Sequence, residues 1–292
     1  MDVIIIFNGL GNQMSQYSFY LAKKKINPST YAISFCRDHN GLELESVFGI
    51  SFDASVKQRF LHILFRLLLT DKFGAISGGL RKVFNFFNIK IQKENYDYAF
   101  KSEYLNPSKG VTFYYGGWHA PAYFKEVEQK LSNSFKFIEP SDSKNQKIVN
   151  KIKNMNSISI HIRRGDYINS ANIDLFGGVC TLDYYQDAIN LLVNQIKDCH
   201  FFIFSNDMKW VQDNLKLDNV TYVDHNCGVN SWKDMYLMSL CNHNIIANST
   251  FSWWGAWLNK NQRKIVISPN KFLNDDIYTE VYPSTWTKLI VQ

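Results

Sequence analysis

The chain has 292 residues, of which 46% are hydrophobic, 20% charged and 15% aromatic, with a formal net charge of +6. The length fits two domains of about 150 residues each, and the composition excludes a disordered chain. The modest positive charge permits an anionic partner such as a nucleotide or an acidic membrane surface, but no Lys/Arg run interleaved with aromatics argues for nucleic acid.

The opening MDVIIIFNG lacks a basic leader and has an apolar run of only five residues, so it reads as a first strand, Val3–Phe7, not a signal peptide. Asn8-Gly9-Leu10-Gly11 is a turn. Met14, Tyr17, Ser18, Leu21 and Ala22 then recur at helical spacing, completing a βα unit. Residues 56–92 carry Lys57, Arg59, Arg66, Lys72, Arg81, Lys82 and Lys90 among many Leu, Ile and Phe residues. They read as two helices broken near Gly78-Gly79. These helices either pack on their own domain or present a basic amphipathic face to anionic lipid. Glu139 to Asn145 is polar and reads as a linker.

Beyond it the βα rhythm is clear. Strands are expected at Ile158–Ile162, Phe201–Phe204, Val220–Val223, Asn244–Ala247 and Lys264–Ile267, with helices such as Leu182–Ile196 and Trp232–Leu240 between them. Such alternation implies a right-handed, parallel, doubly wound sheet. No stretch reaches the roughly 18 apolar residues that span a bilayer. The five cysteines, Cys36, Cys180, Cys199, Cys227 and Cys241, are odd in number and show no C-x-x-C spacing. A reducing, cytoplasmic compartment is therefore expected, with neither a disulfide framework nor a zinc knuckle.

In open α/β sheets, ligands bind beyond the carboxyl ends of the strands. Those positions hold Gly9, Gly11, Asn12 and Gln13 after the first strand, and Arg163, Arg164 and Asp166 after Ile158–Ile162. Ser205, Asn206 and Asp207 follow Phe201–Phe204, and Asn248, Ser249, Thr250, Phe251 and Ser252 follow the strand ending at Ala247. Arginine forks, small hydroxyls and free amides at a helix start all bind phosphate oxygens. A carboxylate accepts from a base edge or a ribose, so together these positions read as a nucleotide-diphosphate site. Taken singly, each has a plainer reading. Gly-Leu-Gly-Asn-Gln can be a tight turn, Ser249-Thr250 a helix cap, and Asp207 the cap of the helix holding Trp210. Trp253-Trp254-Gly255-Ala256-Trp257 reads as helix packing or as sugar stacking. No Asp-x-Asp, Walker A or G-x-S-x-G pattern occurs, and the seven histidines lack metal-ligand spacing. A metal-free site must neutralise a leaving diphosphate with side chains and helix termini.

GLGNQMSQYSFYLA at 9–22, GLELESVFGI at 41–50, GGWHAPAYF at 116–124, HIRRGDY at 161–167, FSNDMKW at 204–210 and ANSTFSWWGAWL at 247–258 stand in an order that covers nearly the whole chain. By these motifs the sequence resembles the bacterial α-1,2-fucosyltransferases of glycosyltransferase family 11. The resemblance implies an α/β, GT-B-like fold of two Rossmann-like domains facing a cleft, with parallel sheets flanked by helices. It also implies a galactoside 2-α-L-fucosyltransferase that moves L-fucose from GDP-L-fucose to the 2-hydroxyl of a terminal β-galactoside, with inversion and without metal or cofactor, in surface-glycan synthesis. The expected division is an acceptor-side domain at 1–143, with the helical insert 56–92, and a GDP-fucose-binding domain at 144–292.

More distantly, the chain resembles the core and protein O-fucosyltransferases, in which the first arginine of the corresponding motif binds the β-phosphate; Arg163 matches that arginine, and Asn12 matches an asparagine near the donor sugar and β-phosphate. Ser249, Thr250 and the Phe251 backbone match the phosphate-facing stretch, and Asp207 a position that contacts the nucleoside. Gly11, Gln13, His161, Arg164 and Asn248 complete the expected substrate contacts. Because successive residues leaving a strand point to opposite sides, Arg163 is expected to face the ligand and Arg164 to pair with Asp166 or another acid. Candidates for a general base are Asp166, His161 and His119, unless the leaving phosphate takes the proton itself. His161, between isoleucines, also reads as a core residue. The chain departs from the family at Asn8, where Gly is usual, at Asn206-Asp207, where Asp-Asp is frequent, and at His119-Ala120-Pro121. The partners expected are GDP-L-fucose, a β-galactoside-terminated glycan and, peripherally, the inner membrane. Rival readings are another nucleotide-sugar transferase of the same fold, or a non-catalytic glycan- or nucleotide-binding module.

Overall fold

The computed structural model describes the chain except for residues 37–38, 53–54, 70–78, 80–81, 85, 96, 170–171, 275–278 and 292. It divides into two compact units, Met1–Lys136 and Phe137–Gln292. The division falls a few residues before the expected boundary at 143. Phe137 stacks on Trp232 at 5.9 Å and so belongs to the second core. The polar segment read as a linker carries Asp142, which N-caps the helix that follows by accepting from the Asn145 amide.

The first unit is built on a four-stranded parallel sheet of order β2-β1-β4-β3. Its strands are β1 (Asp2–Ile6), β2 (Thr30–Ser34), β3 (Ile89–Lys93) and β4 (Val111–Tyr115). Every residue of β1 is buried, as a central parallel strand covered on both faces requires. Helix α1 (Leu10–Ile26) follows β1 directly, and α2 (Glu43–Phe48) and α3 (Val56–Leu69) come after β2. The turn into α1 depends on Asn8, whose φ is +63°. This left-handed conformation suits Gly and is tolerated by Asn, which explains the departure from the usual glycine. Leu61, Leu64 and Phe65 of α3 pack on Val3, Ile5, Ile33 and Phe113 of the sheet. The segment expected as two helices is helical over Val56–Leu69 and again at residues 79, 82–84 and 86, and it ends in a strand, β3, where Ile89 and Ile91 alternate with Lys90 and Gln92. Gly78, Lys72 and Arg81 of that expectation lie outside the described residues.

One buried cation ties the first unit together. Lys23 of α1 donates from Nζ to the Tyr104 and Asn106 carbonyls at 2.7 and 3.0 Å and to the Tyr114 hydroxyl at 3.1 Å. It also stands 3.4 Å from the Asp2 carboxylate, with both side chains fully buried. Burial pulls the Lys23 pKa down to about 8.

The second unit has a six-stranded parallel sheet of order β10-β9-β8-β5-β6-β7. The strands are β5 (Asn156–Ile162), β6 (Cys199–Ser205), β7 (Val220–Val223), β8 (His243–Ile245), β9 (Val266–Pro269) and β10 (Thr287–Leu289). Helices α4 (Glu128–Ser134, still in the first unit), α5 (Ser143–Lys153), α6 (Ile173–Phe176), α7 (Leu182–Val193), α8 (Met208–Asn214), α9 (Trp232–Leu240) and α10 (Thr250–Leu258) complete the series. One face of the sheet packs Ile158, Ile160 and Ile203 against Tyr185, Ala188 and Leu192 of α7. The other packs Phe202 and Phe204 against Val149 of α5 and Leu237 of α9. Trp253 and Trp254 are buried, and the Trp253 indole donates to the Val281 carbonyl at 2.8 Å. The tryptophan cluster is therefore core, not an exposed sugar platform.

Removing one partner of a buried, fully bonded ion pair leaves the other charge uncompensated. Lys23→Ala is expected to lower unfolding free energy by about 3–5 kcal/mol, measured by urea denaturation of the full chain.

Candidate active site

β5 lies between β8 and β6 in the sheet, and the chain leaves it as Arg163-Arg164. The next residues, Gly165–Ile168, form a 3-10 turn in which the Tyr167 amide donates to the Arg164 carbonyl at 2.8 Å. This turn carries Asp166 back beside Arg163. Arg163 Nη2 donates to Asp166 Oδ2 at 2.8 Å, and Nε stands 2.8 Å from Oδ1 without aiming its N–H there. Asp166 thus braces Arg163 and not Arg164, correcting the expectation from simple strand alternation. Arg164 pairs with another acid, its Nε 3.4 Å from Asp207 Oδ2, and its guanidinium lies 4.0 Å from the Trp210 ring centroid. Tyr167 places its ring 5.6 Å from the Arg163 guanidinium and donates from its hydroxyl to the Asn248 carbonyl at 3.1 Å.

Asn206 joins the ends of β5 and β6. Its Oδ1 accepts from the Arg164 and Gly165 amides at 3.0 and 3.2 Å, and its Nδ2 donates to Asp166 Oδ1 at 3.2 Å. A Cβ on Gly165 would come within 2.6 Å of Asn206 Nδ2, so a side chain there would displace the Asn206 amide from its bonds. The Asn206 amide makes a bond to Asp166 that the aspartate frequent at this position in the family could not donate. Asn206 stood at a predicted strand end but was not among the expected substrate contacts; its position just beyond a buried strand was the signal. Asp207 also accepts from the Trp210 amide at 3.3 Å, so it caps α8 as well as holding Arg164.

Beyond β8, Ser249 Oγ accepts from the Phe251 amide at 3.3 Å and caps α10. Thr250, the first residue of α10, is half-buried, and Phe251 packs its ring 5.7 Å from His161. Asn248 was expected to touch substrate. Instead it is buried, and its amide donates to the Phe176 and Phe272 carbonyls, each at 3.1 Å. Its side chain serves the loop. His161 is buried on β5, and desolvation pulls its pKa down to about 3, with Arg163 adding to the shift. It is a neutral core imidazole and a poor base near pH 7.

In the first unit, Gly11 is buried and Asn12 half-buried in the first turn of α1. Gln13 is fully buried. It donates to the Asn8 and Gly41 carbonyls at 2.7 and 2.8 Å and accepts from the Leu44 amide at 3.2 Å, which commits both ends of the side chain to the fold. The start of α1 already has an anion: Glu43 Oε2 accepts from the Leu10 amide at 2.9 Å. His119, a candidate base, is buried with its pKa lowered to about 3 by desolvation, and it packs 5.0 Å from the Tyr98 ring. Two acids escaped the sequence reading. Burial pushes Glu94, which accepts from the Trp118 amide at 2.7 Å, up to about 8. It pushes Asp234, which accepts from Asn226 at 2.8 Å, up to about 7. Neither belongs to a motif, so only tertiary packing reveals them. Among the described residues, no group of three or more His, Cys, Asp and Glu side chains is arranged to hold a metal ion. The first unit has a cavity of about 390 Å³ between β2 and α3, lined by Ile33, Ser34, Gln58 and His62 among others.

The family model described as "Glycosyl transferase family 11" matches residues 58–289. The chain belongs to glycosyltransferase family 11. Two curated relatives from Escherichia coli match along the full length. An O-antigen biosynthesis glycosyltransferase, WbnK, is 30% identical over 96% of this chain and 98% of its own. An alpha-1,2-colitosyltransferase is 30% identical over 99% of each. The human galactoside alpha-(1,2)-fucosyltransferase 1 is 30% identical over 103 residues, 35% of this family 11 chain and 28% of its own. Among solved structures, the fucosyltransferase NodZ from Bradyrhizobium superposes with a TM-score of 0.50 at 13% identity, covering 88% of this chain and 91% of that one. That likeness is one of fold. The architecture is GT-B-like, with an α/β unit and a parallel sheet in each half.

The neutral state of His161 has a measurable consequence. The unfolded chain takes up a proton near pH 6.5 that the folded chain refuses until about pH 3. Stability from this group is therefore complete above pH 6.5 and lost as pH falls toward 3. His161→Phe removes the linkage. In urea unfolding, the wild type is expected to lose about 1.2 kcal/mol more than the variant between pH 6 and pH 5.

Proposed function

We propose that this family 11 protein transfers a 6-deoxy sugar of the fucose type from its GDP conjugate to the 2-hydroxyl of a terminal β-galactoside, in surface-glycan synthesis at the cytoplasmic side. The observation that carries the reading is the braced arginine pair at the end of β5, beside the capped start of α10. Relatives named as an O-antigen glycosyltransferase, an α-1,2-colitosyltransferase and galactoside α-1,2-fucosyltransferases support the linkage and the sugar class.

In this scheme the pyrophosphate lies against Arg163, the Ser249-Thr250 stretch and the first amides of α10, where helix N–H groups favour an anion. Asp166 fixes the plane of Arg163, and the remaining guanidinium N–H groups address the β-phosphate. As the C1–O bond breaks, negative charge grows on that phosphate, and Arg163 stabilises the transition state more than the ground state. Positive charge grows on the sugar ring, and the galactose 2-hydroxyl attacks from the opposite face, inverting C1. Asp166 is engaged by Arg163 and Asn206, and His161 and His119 are buried and neutral, which makes each a weak candidate for the base. The departing phosphate is the acceptor of the proton that fits best. The directed N–H groups of Arg163 and the start of α10 stabilise the leaving diphosphate in place of a metal. Arg164, stacked on Trp210 and tied to Asp207, holds the loop.

The decisive assay supplies GDP-fucose and GDP-colitose with lactose and the two N-acetyllactosamine-type isomers, and looks for α-1,2-linked product. Product from at least one donor, undiminished by EDTA, is expected. Hydrolysis of a different nucleotide sugar, or GDP binding with no transfer to any β-galactoside, would contradict the proposal. Arg163→Ala is expected to lower kcat/KM by about 100- to 1000-fold, equivalent to about 2.7–4 kcal/mol of lost transition-state stabilisation. Asp166→Asn is expected to do less damage, because it loosens the arginine without removing it.

A further inference from the structure

Helix α3 has two apolar faces, and the fold uses only one. Leu61, Leu64 and Phe65 are buried against the sheet of the first unit. Val56, Phe60, Ile63 and Leu67 recur at i, i+4, i+7 and i+11, so they line a single stripe along the helix. They are 84%, 62%, 58% and 41% exposed. A soluble helix on its own domain needs one apolar stripe; a second one on the solvent side calls for a partner.

The patch continues beyond the helix. Phe84 packs in the same apolar cluster as Leu61 and Phe65, while its neighbours Phe86 and Phe87 stand out from it, 83% and 63% exposed. Among the described residues, eight of the sixteen exposed large apolar side chains fall between Val56 and Phe87. Such clustering in a short stretch of the chain marks an interaction surface and not the usual scatter of single apolar residues.

Charge selects the partner. The α3 sequence VKQRFLHILFRLLL contains Lys57, Arg59 and Arg66 and no acid. All three cations are exposed residues. Arg59 and Arg66 share the row along one side of the stripe, seven residues apart, while Lys57, seven residues before the buried Leu64, turns toward its own sheet and donates to the Tyr31 hydroxyl at 3.0 Å. An apolar stripe edged by two long basic side chains, on a helix with no acid, suits a helix lying in the interface of an anionic bilayer. The apolar stripe enters the acyl boundary and the cations reach the headgroups. No helix among the described residues is long and apolar enough to cross a membrane. A surface-lying α3 supplies attachment of a different kind.

We propose that the exposed stripe of α3, with Phe86 and Phe87, docks this protein on an anionic lipid bilayer. Docking is independent of the transfer reaction, since none of these residues belongs to the arginine site, so the two readings can fail separately.

The test is co-sedimentation of the full chain with vesicles of phosphatidylcholine alone or mixed with phosphatidylglycerol, at low salt and at about 0.5 M salt, where charge attraction is screened. The wild type is expected to bind the anionic vesicles and to release from them at high salt. The double variant Phe60→Ser/Ile63→Ser is expected to lose binding. Arg59→Gln/Arg66→Gln is expected to bind the anionic vesicles about tenfold or more weakly. All four substitutions are at exposed positions, so unchanged melting curves serve as the folding control. The single variant Phe60→Gln replaces the double one if that fails to fold. Equal partitioning to neutral and anionic vesicles, or no binding to either, overturns the proposal. So does a wild-type dimer in sedimentation velocity that disappears in Phe60→Ser/Ile63→Ser, because a second copy would then cover the stripe.

Discussion

Two guanidiniums on consecutive residues repel each other, and the end of β5 is organised around that repulsion. Each arginine has its own carboxylate: Asp166 for Arg163 and Asp207 for Arg164. The two acids come from different strand ends, so the charges are balanced by joining β5 to β6. Asn206 completes the joint by bonding both the Arg164-Gly165 backbone and Asp166. The balance also sets the chemistry. With two cations and two anions the cluster is neutral overall, so an incoming diphosphate is held by directed N–H groups and the start of α10 more than by a large positive field. Preorganised donors of this kind act where charge develops during bond breaking and need little reorganisation at that moment.

The first unit solves the opposite problem, a single buried cation. Lys23 is surrounded by carbonyls, a hydroxyl, an aromatic face and the Asp2 carboxylate, which together bind α1, β1 and the segment before β4. The start of α1 is similarly closed by Glu43. That carboxylate occupies the place where a free phosphate would otherwise be drawn, and Gln13 is spent on the neighbouring turn. The glycine-containing motif after β1 therefore shapes a loop, and of its polar side chains only Asn12 is half-buried, Gln13 being enclosed.

Much of the fold was legible because parallel strands are short, β-branched, buried runs followed by polar residues. β1, β5 and β9 announce themselves in this way, while β6 is a phenylalanine-rich run and β7 is mostly half-buried; β2 and β4 carry no such signal. β10, three residues long, is too short for a periodic signal, and β3 lies in a stretch whose Leu and Phe content reads as helix. At the site, Arg163, Arg164, Asp207 and Ser249 were readable as strand-end polar residues. The pairing of the arginines was not, because it depends on a 3-10 turn that brings i+3 beside i. The engagement of Gln13 and Asn248 has no sequence signal: an amide that can bind a ligand can equally satisfy buried carbonyls, as both amides do here. His161 and His119 similarly have the right chemistry for a base but the wrong solvation.

The central claim is that Arg163 reads a β-phosphate. Titration calorimetry of the full chain with GDP and with GMP tests it without any acceptor. The account predicts that the wild type binds GDP far more tightly than GMP and that Arg163→Ala erases most of this difference while binding GMP much as before. Undiminished preference for GDP in the variant would contradict it.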